Sequence, residues 1–142
     1  MAKNRTVPFL LAVLLSLLPA CARRSEESRI EEALGRMADL AEDRDLDGLM
    51  DRFAPDYADF EGRDRARARE LIGGYFAGRS AIVVHLLGTD VQLEGGNRAA
   101  VQAEAALSSG AAEVFRKLFR SFGELYRFDL EMAKPNEEWK VV

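Results

Sequence analysis

One cysteine, one histidine and one tryptophan are all that these 142 residues contain of those types: Cys21, His85 and Trp139. A single cysteine excludes an internal disulfide framework and any zinc site built on paired cysteines. A single histidine leaves only carboxylates for metal chemistry, so neither a metal site nor a cofactor is expected. The chain has no glycine-rich phosphate loop, no nucleophile motif, no internal repeat and no low-complexity segment. It also lacks a basic stripe: the net charge is −4, which argues against nucleic acid as a partner because phosphate contacts dominate that affinity. Acids are missing from the first 25 residues, and all 24 begin at Glu26. With 48% hydrophobic and 31% charged residues, what remains reads as one soluble globular domain.

The acid-free start has three parts. Lys3 and Arg5 are its only early charges, Val7 to Leu18 is apolar but for Pro8 and Ser16, and small Ala20 precedes Cys21. That order is the architecture of a secretory signal. The apolar run is too short for the ~20 residues that a mature membrane-spanning helix requires. "LPAC" resembles the bacterial lipobox, in which cleavage falls just before a cysteine that then receives lipid. The resemblance implies a signal peptide over residues 1–20, a lipidated Cys21 and a short charged tether to residue 28. Two or three acyl chains hold a protein stably on a bilayer, whereas one holds it only marginally. By the same resemblance, Ala22 in place of the aspartate that marks inner-membrane retention implies the outer membrane, facing the periplasm, if the host is diderm. The alternative is an ordinary signal peptide whose cysteine carries no lipid.

From Ser28 the apolar spacing turns helical: Ile30, Ala33, Leu34, Met37, Leu40 and Ala41 recur at three and four residues. Asp45 is suited to cap a short second helix carrying Leu46, Leu49, Met50 and Phe53. Pro55 closes it, "DYADFEG" is irregular, and a third helix in "RDRARARELIGGYFAG" ends at Gly78. There the period drops to two. "AIVVHLLGTDVQLE" and "RAAVQAEAALSS" are strands joined by a Gly-Gly-Asn turn. "ELYRFDLEM" sets Tyr126, Phe128, Leu130 and Met132 against Arg127, Asp129 and Glu131, and "WKVV" is a last strand. Residues 111–122 suit a short amphipathic helix or a loop over the sheet. The domain is α+β, with N-terminal helices on a curved antiparallel sheet.

Three stretches carry a family resemblance. "DLDGLMDRFAPDYADF", "IVVHLLGTDVQLEGGNRAAVQAEAAL" and "LYRFDLEMAKPNEEWKVV" resemble the second helix, the first long hairpin and the closing hairpin of nuclear transport factor 2-like proteins, which include ketosteroid isomerases and polyketide cyclases. The resemblance covers residues 29–142 and implies a cone with a pocket at its open end. Candidate pocket residues are Asp56, Tyr57, Tyr75, His85, Tyr126 and Trp139. None matches a catalytic pattern of that family residue by residue, so no catalytic residue is assigned. His85 in "IVVHLL" suits a sheet-surface position, Asp56 beside Pro55 suits a turn, and Trp139 suits packing of the sheet against the first helix.

Three functional classes follow: a non-catalytic envelope domain binding a small apolar ligand, a small isomerase or dehydratase, and an assembly protein that dimerises through its sheet. All three share the anchor. The mature protein in a membrane fraction should lack 20 residues and carry added lipid by intact mass, and Cys21→Ser should release it from membranes.

Overall fold

A computed structural model describes residues 7–108 and 124–142, with side chains described for 25–107 and 127–142. The segment 111–122 lies outside the described residues.

Helix α1 spans Val7–Glu42, so it runs through the stretch expected as a tether. It stops in a Schellman arrangement: the Arg44 N–H donates to Ala41 O and the Asp45 N–H to Leu40 O, with Arg44 at φ 56°. Asp45 then caps the one-turn helix α2 (Leu46–Met50), its carboxylate accepting the Gly48 N–H at 2.9 Å. Helix α3 (Arg65–Ala77) starts at Asp64, which accepts the Arg67 N–H, and ends at Gly78. The arginines that alternate along it pair outward: Arg67 with Glu70, and Arg69 with Asp47 on α2. Arg65 donates to Met50 O at 2.8 Å and ties α3 to the end of α2.

The sheet has four antiparallel strands in sequence order: β1 (Val83–Leu93), β2 (Arg98–Ser108), β3 (Glu124–Ala133) and β4 (Lys140–Val141). The β1–β2 turn places Gly95 at φ +74°, a conformation that suits glycine. β4 is short but held on both sides. It pairs with β3, while the Val141 N–H donates to Arg52 O and the Ala54 N–H to Val141 O. Side chains on β2 alternate from Ala99 to Ala105, with Ala99, Val101, Ala103 and Ala105 buried and Gln102 exposed, and Ala106 is buried on the other face. On β3, Phe128, Leu130 and Met132 share the helix side, and Arg127, Asp129 and Glu131 face out.

Two apolar clusters fill the domain. The first, the base, joins Ile30 and Leu34 of α1 to Ala99, Val101, Met132, Trp139 and Val141 of the sheet. The second, the top, gathers Leu49, Phe76 and Ile82 beneath the far end of α1. Trp139 seals the base. Its indole N–H donates to Glu26 Oε2 at 2.9 Å, and Glu26 Oε1 also accepts from Lys134 Nζ and Arg29 Nη1, both at 3.0 Å. The Lys134 hydrogen bond is the main reason the Glu26 carboxyl is held below its ordinary range; burial opposes the shift, and Trp139 and Arg29 reinforce it. Phe128 departs from a core role. It faces inward yet keeps 38% of its surface exposed, because it borders a cavity in the top rather than the packed base.

Met132→Ala should therefore cost about 2–5 kcal/mol and Phe128→Ala about 1–2 kcal/mol, read from chemical denaturation. Glu26 titrates lower folded than unfolded, so its stabilisation is complete above the ordinary carboxylate range and drains as pH falls through the folded value. Glu26→Gln should lower the melting temperature at neutral pH and flatten the acid limb of the stability profile.

Candidate functional site

Beneath the last turns of α1 the inner face of β2 presents Ala103 and Ala105, short side chains between Val101 and Leu107. Ala103 and Ala105 stop short of the helices, and a cavity of about 380 Å³ opens between them and α3. Its wall comes from α1 (Leu34, Met37, Ala41), α2 and the turn after it (Leu49, Phe53), α3 (Ile72, Tyr75, Phe76) and the strands (Val84, Leu107, Leu130). Leu71, Leu86 and Phe128 also line it and keep 46%, 39% and 38% of their surface exposed, so they form its rim. Three of the five most exposed large apolar residues among those described thus ring one opening. Such a concave apolar space is in the size range of small-molecule sites. Tyr75 lines it with its ring while its hydroxyl oxygen is buried in the protein, and the Arg79 guanidinium lies 4.1 Å from the Tyr75 ring centroid.

The candidate residues are scattered rather than gathered. Tyr75 alone has a described side chain in the cavity wall. His85 pairs with Ala106, while its neighbours Val84 and Leu86 line the cavity, so the imidazole is on the other face of β1. A bulge explains the parity: Leu86 opposes Ala105 and Gly88 opposes Glu104, leaving Leu87 as an extra residue. Beyond it Val91 and Leu93 pack on the base, so the inward positions change from even to odd. Trp139 and Tyr57 belong to the base, with Tyr57 edge-on to Phe53 at 4.9 Å between centroids. Burial and then the Asp59 charge push the Tyr57 phenol up. Asp56 is exposed, and Tyr126 opposes Ala105 in the backbone register, its side chain outside those described.

Next to Tyr57, Asp59 organises a loop by accepting the backbone N–H groups of Glu61 and Arg63 at 2.9 Å, along with the Arg63 guanidinium. Burial of Asp59 works to raise its pKa, but these hydrogen bonds outweigh it and hold the carboxyl below its usual range. The loop presents Phe60, 93% exposed, at its tip. The outer face of the sheet carries polar pairs over its turn-side part, where Arg98 pairs with Glu131, Gln102 donates to Asp129 and Arg127 pairs with Glu104, while Ala106 opposite His85 is fully buried. The described residues include no group of three or more potential metal ligands and no helix long and apolar enough to cross a membrane.

Sequence reasoning missed the aliphatic wall. Its members are the commonest residue types, and the only written trace was the pair of small residues facing in from β2.

No protein-family model and no curated protein sequence matches this chain. Solved structures do match its fold. A provisionally named scytalone dehydratase from Novosphingobium aromaticivorans superposes with a TM-score of 0.68 at 13% identity, over 86% of this chain and 83% of its own. A nuclear transport factor 2-like protein of unknown function from Pseudomonas putida gives 0.67 at 17% identity, over 84% and 83%. A nuclear transport factor 2-like protein with a cystatin-like fold, also from N. aromaticivorans, gives 0.62 at 18% identity, over 98% and 88%. The helices and four-stranded antiparallel sheet of this chain have that nuclear transport factor 2-like, cystatin-like fold.

Proposed function

We propose that this chain is a cell-envelope protein, lipid-anchored through Cys21, whose domain holds a small apolar molecule without converting it. The supporting observation is the composition of the cavity wall. Eighteen described residues line it, and none of their side chains is a carboxylate, an imidazole or a guanidinium. Proton-transfer catalysis requires a base within hydrogen-bond reach of the substrate and a donor at the developing oxyanion. Tyr75 is the one phenol of the described wall, its hydroxyl is buried, and no described base accompanies it. An assembly role through the sheet is less favoured, because the described outer face carries paired charges rather than a broad apolar patch.

The second reading, a small dehydratase or isomerase, is favoured by the presence of Tyr75 in the cavity wall and by the name of one fold neighbour. One screen separates the two. The purified mature domain, offered unsaturated ketones and polyketide-like compounds, should gain several degrees in melting temperature with some of them and return all of them unchanged. Ala105→Phe, which fills the cavity, should abolish that gain while the domain stays folded. Turnover that vanishes in Tyr75→Phe would replace this reading with the enzymatic one.

A further inference from the structure

The domain has a solid end and a hollow end, and the chain enters at the solid one. Glu26 is pinned there by Trp139, Lys134 and Arg29. Only five peptide steps separate it from Cys21. These span about 18 Å fully extended and about 7.5 Å as helix, so Cys21 stays close to this end whatever the backbone does. The same end carries both tight turns, which are joined by the Lys134 N–H donating to Asn97 O.

The cavity lies the other way along both long elements. On α1 its wall starts at Leu34, about 12 Å beyond Glu26, and continues to Ala41, about 22 Å beyond. On β2 it starts at Ala103 and reaches Leu107, about 17 to 31 Å from Arg98, which pairs with Ala133 beside the turn. Along α1 the charge follows the same axis, while the two turns mix Glu94, Glu137 and Glu138 with Arg98 and Lys134. Arg23 and Arg24 flank the anchor, whereas residues 27–43 hold six acids (Glu27, Glu31, Glu32, Asp39, Glu42 and Asp43) against Arg29 and Arg36. An anionic bilayer surface attracts the first pair and repels the acidic flank within a Debye length, which keeps α1 from lying flat.

Resting on the lipid anchor of the preceding reading, we propose that the domain stands end-on on the bilayer. Its two turns face the headgroups, and the cavity opens to the aqueous compartment. The ligand then exchanges with a water-borne carrier or partner rather than with the lipid phase beneath.

The test uses full-length lipidated protein in vesicles of phosphatidylethanolamine and phosphatidylglycerol. A donor dye is placed on a cysteine introduced at Asn136→Cys, in the β3–β4 turn, or at Ser80→Cys, beside the cavity end; both positions are exposed. Energy transfer to an acceptor on the lipid headgroups should be several-fold stronger from position 136 than from position 80. Vesicle-bound protein with equal transfer, or with the order reversed, would overturn the end-on placement while leaving the anchor intact. Protein that fails to float with vesicles, with Cys21 unmodified by mass, would remove the anchor and this inference together.

Discussion

The indole N–H of Trp139 must find an acceptor, because the ring is sealed between α1 and the sheet where water cannot serve. Glu26 meets that need from the far end of the chain, and the arrangement of the base depends on it. A half-buried carboxylate needs cations in turn, and Lys134 and Arg29 supply them from the β3–β4 turn and from one helical turn further along α1. The contact therefore fixes three things at once: the rotation of α1, the position of the closing turn and the depth of the tryptophan. β4 has only two register pairs with β3 and would be a weak edge alone. Trp139 on one side and the backbone of Arg52 and Ala54 on the other hold it in place.

With the base fixed, the top becomes a consequence of side-chain size. Val101 and Met132 fill the space around Ile30 of α1, while Ala103 and Ala105 border the cavity further along the helix. Close-packed interiors do not tolerate such a gap for nothing, since an unfilled apolar void forfeits dispersion contacts along its whole wall. The domain meets that cost with helix capping at Asp45 and Asp64 and with the Arg65 bond to Met50, which hold the roof without filling the room.

Much of this order was legible in the residues. The period-two runs on β2 and β3 marked which side chains face the helices, Asp45 announced a helix start, and Gly78 announced a stop. These are local signals, read within a few residues of where they act. Glu26 and Trp139 are 113 residues apart, and nothing in either neighbourhood points to the other. The candidate site was searched for among rare and titratable residues, because those carry chemical signatures. The cavity is made of leucine, alanine, phenylalanine and valine, which look the same in a wall as in a core. Among the described side chains, Tyr75 alone belongs to both sets.

Leu87 carries one more consequence. Were β1 paired regularly from Leu93 back to Val83, odd-numbered positions would point at the helices throughout. The imidazole of His85 would then point to the cavity side, and Val84 and Leu86 to the outer face of the sheet. The extra residue turns that half of the strand over. The chemical character of the chamber, inert or proton-accepting, is thus written as a count: one amino acid more or fewer between two points of a strand, with every side chain otherwise unchanged.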